Sequence, residues 1–191
     1  MLLYIHGFNS SPDSEKGRVT ADYMRRCHPQ VNLVQPQLPC DTRAAMALLG
    51  ELCEQALAKG ETLSFIGSSL GGFYASFLVQ RYGGKAVLIN PAVAPYHLFD
   101  EFLGPQHNPY TGEDYQVLPE HKDALLDFDL PAIANPERFF VLLQTGDEVL
   151  DYRDALTKYH CCEMLLQPGG DHSFIGYGAQ LPAIGRFLQL P

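Results

Sequence analysis

Residues 63–74 read Leu63-Ser64-Phe65-Ile66-Gly67-Ser68-Ser69-Leu70-Gly71-Gly72-Phe73-Tyr74. The run Leu63–Ile66 is apolar, as a buried strand is, and a helical pattern runs on from Ser69 to Tyr82. Between them lies a G-x-S-x-G motif, Gly67-Ser68-Ser69-Leu70-Gly71. A strand that turns sharply into a helix strains the backbone at the apex of the turn, and only small neighbours avoid a clash there. Gly67 and Gly71 are therefore the elbow glycines. The side chain of Ser69 is expected to stand clear of the main chain at the carboxyl end of a sheet, where it can attack a carbonyl.

The same strand–helix rhythm extends in both directions. The runs Leu2–Ile5, Val31–Gln35, Leu63–Ile66, Ala86–Ile89, Phe139–Leu143 and Cys162–Leu166 are near-continuously apolar, as expected of strands covered on both faces. Helical patterns at Ser14–Cys27, Thr42–Ala58, Ser69–Tyr82, Tyr152–Tyr159 and Ala179–Leu188 alternate with them. Asp41 is placed to cap the second helix, and Gly83-Gly84 ends the third. This alternation predicts an α/β fold with a six-stranded, mostly parallel sheet and helices on both faces. Right-handed crossovers with one reversal of winding give the spatial order 2-1-3-4-5-6.

One stretch breaks the rhythm. Pro91 to Pro136 is rich in proline, aromatic and acidic residues and has no strand pattern. The expectation is a single domain over residues 1–191, with a cap or lid insert around 92–136 above the end of the sheet that carries Ser69. The competing reading is a disordered excursion. Tyr96, Phe99, Phe102, Tyr110, Tyr115 and Phe128 argue against it, because disordered segments are poor in aromatics.

Bulk composition narrows the function classes. The 191 residues are enough for one domain with a sizeable core. The net charge of −9, with no basic cluster longer than Arg25-Arg26, argues against nucleic acid and anionic membranes as partners. Anionic substrates stay open, because a local positive patch can coexist with net negative charge. Cys27, Cys40, Cys53, Cys161 and Cys162 lack C-x-x-C spacing. They imply neither a disulfide framework nor a zinc site, and they suit a reducing cytoplasm. Met1–His6 is too short for a signal peptide and lacks a basic flank, and no stretch is long enough to span a bilayer. The chain has no G-x-x-x-x-G-K-[ST], G-x-G-x-x-G or H-E-x-x-H motif, so no cofactor and no metal are expected.

A serine hydroxyl needs a base to take its proton, and the base needs an orienting carboxylate. Thr145-Gly146-Asp147 follows the fifth apolar run, and Gly169-Gly170-Asp171-His172-Ser173-Phe174 follows the sixth. Ser69, the acid and the histidine thus fall in the chain order of α/β-hydrolases, each just past a strand end. His172 is the expected base; His28, His107, His121 and His160 carry no expected role. Asp147 is the expected acid, with Asp151 as the alternative. Asp171 is expected to be structural, bonding loop amides. His6-Gly7-Phe8 follows the first strand, which nominates the backbone N–H groups of Phe8 and Leu70 as the oxyanion hole. His6 itself reads as a hydrogen-bonded histidine that fixes the loop.

Six segments together resemble the YqiA-type esterases, a compact bacterial branch of the α/β-hydrolase superfamily. They are Tyr4-Ile5-His6-Gly7-Phe8-Asn9-Ser10-Ser11-Pro12, Ile66–Tyr74, Asn90-Pro91-Ala92-Val93, Asn108-Pro109-Tyr110-Thr111-Gly112, Gln144–Tyr152 and Gly170–Phe174. The resemblance covers essentially the whole chain. It implies a minimal α/β-hydrolase fold and a serine esterase or thioesterase, with the catalytic triad on Ser69, Asp147 and His172. The expected substrate is a small-molecule ester or thioester, and the small insert suggests short to medium acyl groups. The same triad could instead serve a lyase or an acyltransferase, and a binding protein could keep the fold without turnover.

Overall fold

A computed structural model describes residues 1–191. The main sheet contains β1 (Leu2–Ile5), β2 (Leu33–Val34), β3 (Ser64–Ser68), β4 (Lys85–Ile89), β7 (Phe139–Gln144) and β8 (Glu163–Gln167). All neighbouring pairs are parallel, in the order β2-β1-β3-β4-β7-β8. The spatial order of the six expected strands is unchanged; the labels differ from the expected 2-1-3-4-5-6 because the insert forms two further strands that the sequence did not reveal. These are β5 (Gly104–His107) and β6 (Asp114–Val117), which make a separate antiparallel hairpin. Pro105 and the polar residues around it hide the pattern, since neither face of the hairpin is consistently apolar. The insert also contains two short 3₁₀ turns, Pro95–His97 and Phe99–Phe102, and the helix α4 (Pro119–Leu126).

Side chains that alternate along the strands are buried on both faces. Leu3, Ile5, Phe65, Leu88 and Val141 pack beneath α2 (Thr42–Ala58), α3 (Leu70–Tyr82) and α5 (Tyr152–Lys158). Leu2, Tyr4, Ile66, Val87, Ile89 and Leu142 pack beneath α1 (Glu15–Cys27) and α6 (Tyr177–Phe187). Two-sided burial is the reason these strands are apolar at nearly every position. Each fully buried Leu, Ile or Phe contributes about 1.5–3 kcal/mol, so the sheet is the rigid part on which the loops are mounted.

Helix ends follow local chemistry. Asp41 accepts the N–H of Ala44 at 2.7 Å, and Ser14 accepts that of Gly17 at 3.3 Å, each closing an N-terminus with a side-chain oxygen. Gly83, at φ 80°, terminates α3. That helix is buried from Leu70 to Val79 apart from Phe77, because it lies against the sheet with the insert over it. The edge strand β2 keeps only two of the five residues expected. It has a single neighbour, and Pro36 cannot continue the ladder.

Candidate active site

Strand register brings the site together. Ile5 pairs with Gly67 and Ser68 with Ile89, so the loops after β1, β3 and β4 leave the sheet side by side. Ser69 sits at φ 55°, ψ −121°, an unfavourable region for a residue with a side chain. It is held there by backbone bonds. Its N–H donates to Ile89 O at 3.0 Å, and its carbonyl accepts from Gly72 at 2.9 Å, Ala92 at 3.1 Å and, more weakly, Phe73 at 3.4 Å. A Cβ on Gly67 would lie 2.3 Å from Gly71 O, and one on Gly71 would lie 2.1 Å from Ile5 O. Both glycines are therefore dictated by close approach of main chain.

Ser69, His172 and Asp147 form one hydrogen-bonded series. Ser69 Oγ lies 3.1 Å from His172 Nε2, and His172 Nδ1 lies 2.8 Å from Asp147 Oδ2. With the proton on Nδ1 donated to Asp147, Nε2 is free to accept the Ser69 hydroxyl. The Asp147 side chain is 2% exposed and also accepts the N–H groups of Val149 and Leu150 at 2.9 and 2.8 Å. Burial alone would raise its pKa. The bonds from His172 and the two amides outweigh that and hold the carboxyl below its ordinary value. The group is thus kept as an acceptor. Asp151 instead caps α5 by accepting Arg153 N–H at 2.9 Å and pairs with the Arg153 guanidinium.

Four residues to which the sequence assigned no role brace the histidine loop. Asn90 is buried at φ 39° and donates through Nδ2 to the carbonyls of Asp171 (3.0 Å) and His172 (3.3 Å). Its Oδ1 accepts Gln144 N–H at 3.0 Å. Gln144 Oε1 accepts the amides of Asp171 and Ile175. Glu148 accepts His172 N–H at 3.0 Å, and Lys16 donates to Ser173 O at 2.8 Å. The one sequence signal was an Asn before a Pro at a strand end, a residue type that tolerates positive φ. Gly170 is explained here too, because a Cβ on it would lie 1.9 Å from Gln144 Oε1.

Asp171 departs from expectation. Its carboxylate bonds no loop amide, and its Oδ1 is buried without a partner. The loop uses its main chain instead, and the carboxylate faces the field of Lys16. His107, His121 and His160 bond locally, to Asp114, Leu118 and Thr157 respectively, and His28 bonds the carbonyl of Pro191 at the far end of the chain.

Phe8 N–H bonds no acceptor in the chain. Leu70 is the first residue of α3, so its N–H has no intrahelical acceptor. Gly7 abuts Ser69, since a Cβ there would lie 3.1 Å from Ser69 Cβ. A cleft of ≈ 260 Å³ opens over Ser69 and His172, bordered by Phe8, Lys16, Ser173 and Tyr110. No three His, Cys, Asp or Glu side chains gather into a metal-binding group. No helix is long and apolar enough to cross a membrane.

His6 fixes the loop after β1, in a neutral tautomer. Its Nδ1 donates to Gly7 O at 2.8 Å, and its Nε2 accepts Leu38 N–H at 3.1 Å. Burial lowers its pKa from the ordinary 6.5, and the bond to Gly7 only partly offsets this. A depressed folded-state pKa contributes stability that is fully present above 6.5. That stability is lost as pH falls towards the folded value. Protonation also removes the acceptor for Leu38. Thermal unfolding from pH 7.5 down to 5 is expected to show a steeper loss of stability in wild type than in His6→Gln. Equal pH slopes would contradict the neutral assignment.

Solved structures that superpose on this chain include α/β hydrolases. A protein from Xanthomonas campestris pv. campestris assigned to the alpha/beta superfamily of hydrolases matches over 99% of this chain and 96% of its own. Its TM-score is 0.65 and its identity 20%. The esterase domain of a Rhodothermus marinus protein matches over 97% of this chain and 85% of its own, with TM-score 0.69 and 14% identity. The fold is therefore that of the α/β hydrolases. Within that class the chain belongs to the UPF0227 family, described as an uncharacterised protein family, whose profile matches residues 1–189. The UPF0227 protein of Serratia proteamaculans is 26% identical over the full length of both chains. That of Shewanella woodyi is 26% identical over 98% of each.

Proposed function

We propose that this protein is a serine hydrolase that cleaves carboxylic esters or acyl thioesters through an acyl-enzyme. The observation that carries the reading is the unbroken series from Ser69 Oγ through His172 to the buried Asp147. In this mechanism His172 Nε2 takes the Ser69 proton as Oγ bonds to the substrate carbonyl carbon. Asp147 stabilises the imidazolium, and the amides of Phe8 and Leu70 receive the charge that develops on the carbonyl oxygen. Collapse of the tetrahedral species expels the alcohol or thiol, which takes the proton from His172. Water, deprotonated by His172, then attacks the acyl-enzyme; the acid leaves and Ser69 recovers its proton.

The insert serves as a cap on the site, with Tyr110 bordering the cleft. A neighbouring groove of ≈ 210 Å³, with Pro91, Ala92, Leu98, Val149 and Leu150 on its walls, suits an apolar acyl group of short to medium length. Treatment with a fluorophosphonate, followed by peptide mapping, is expected to label Ser69 in wild type and not in His172→Ala. An unlabelled wild type, shown to be folded, would remove the reading.

A further inference from the structure

The segment Asn108-Pro109-Tyr110-Thr111-Gly112 has no part in the chemistry above, yet it is joined to the loop that carries Phe8. The Phe8 ring is held by aromatic residues of the insert, with centroids at 5.5 Å to Phe99, 5.2 Å to Phe102 and 6.3 Å to Tyr115. Asn9, at φ 49°, donates to Gln106 Oε1 at 3.1 Å and accepts the Tyr115 hydroxyl. Asn108 Nδ2 donates to Ser10 O at 3.0 Å. Asn108 Oδ1 meanwhile accepts the amides of Tyr110 and Thr111, closing its own turn. Asn108 is buried, and burial pushes the Tyr115 phenol up to about 12, so it remains a donor at neutral pH. A cavity of only ≈ 30 Å³ lies where Phe8, Asn9, Asn108 and Tyr115 meet Leu38 and Leu70.

His6 fixes residues 6 and 7 from the other side, through Leu38 and Gly7. The direction of the Phe8 N–H is then decided by what holds residues 8–10. Apart from a 3.3 Å bond from Gln37 to Ser10 O, the bonds and ring contacts on those residues come from the insert. We propose that the insert is a structural part of the oxyanion hole, in which Asn108 and Tyr115 are positioning residues that aim the Phe8 N–H at the developing charge. This rests on the hydrolase reading. An oxyanion donor is worth about 10²–10³ in kcat, and one displaced by an ångström loses much of that.

The test uses two single substitutions. Asn108→Asp keeps the acceptor for Tyr110 and Thr111 and replaces the donor to Ser10 O with a carboxylate oxygen that repels it. Tyr115→Phe loses only the hydroxyl on Asn9. Each variant and their combination are compared with wild type on a short-chain aryl ester and its thionoester, in which C=S replaces C=O. Sulfur is larger and a weaker acceptor, so the thionoester gains less from the hole. The expected result for the double variant is a loss of about tenfold or more in ester kcat, KM within about twofold, and a smaller ester-to-thionoester preference. If the double variant melts early, Tyr115→Phe alone must show the same direction. Unchanged ester kcat in folded variants, or equal losses on both substrates, would overturn the proposal and leave the insert a cover only. A wild type with no ester turnover and no label at Ser69 would overturn the hydrolase reading as well, so the two failures are distinguishable.

Discussion

Ser69→Ala is expected to lower ester turnover by roughly 10⁵-fold or more without unfolding the protein. Loss of the nucleophile leaves His172 with no oxygen to activate, and the amides of Phe8 and Leu70 can then assist only direct attack by water. The fold should tolerate the change. Ser69 Oγ bonds only His172, whereas the elbow is held by the main-chain bonds of Ser69 to Ile89, Gly72 and Ala92. Alanine meets the same strain at φ 55° as serine does. Thermal unfolding within a few degrees of wild type, together with lost turnover, is the expected pair of results. Normal turnover in folded Ser69→Ala would place the chemistry elsewhere.

Asp147→Asn is expected to reduce kcat by roughly 10⁴-fold, while Asp151→Asn changes it little. Asparagine keeps an oxygen for the amides of Val149 and Leu150, which Asp147 now accepts at 2.9 and 2.8 Å. Its NH₂ would then face His172 Nδ1. The imidazole must answer by accepting there, which moves its proton to Nε2 and leaves nothing to take the Ser69 proton. Asp151 is a cap for α5, a place asparagine fills as well as aspartate does. Steady-state kinetics on one ester, with KM measured separately, decides between the two acids. A larger loss at Asp151 would reverse the assignment.

The legible parts of this protein are the ones governed by short-range rules. Thr42–Ala58 begins and ends as its periodicity and the Asp41 cap indicate. The elbow can be read locally at Gly67, which answers to the close approach of Gly71 O within the turn, whereas Gly71 answers to Ile5 O on the neighbouring strand. Asp147 and His172 could be nominated because parallel strands deliver their following loops to one end of a sheet, whatever the loop sequences are. The hairpin β5–β6 could not be read, because Gly104 and Gln106 occupy the more buried positions of β5 and leave that strand without the apolar alternation a half-buried strand shows. Asn90 was equally hidden, since its partners Asp171 and His172 lie 81 and 82 residues away.

The amino-acid sequence by itself determined the alternation of strands and helices, the strained turn at Ser69 and the chain order of hydroxyl, acid and imidazole. These depend on steric limits, side-chain periodicity and the handedness of crossovers, which act over a few residues or one strand–helix unit. Only the tertiary structure decided that Asp147 and not Asp151 meets His172. It likewise decided that Asp171 leaves a carboxylate oxygen unpartnered, and that Asn9 and Ser10 are tied to the insert. Those outcomes turn on hydrogen bonds that close only within about 3 Å between segments far apart in the chain. No local pattern encodes such distances; they are fixed when the two faces of the sheet are packed and the loops are brought to one edge.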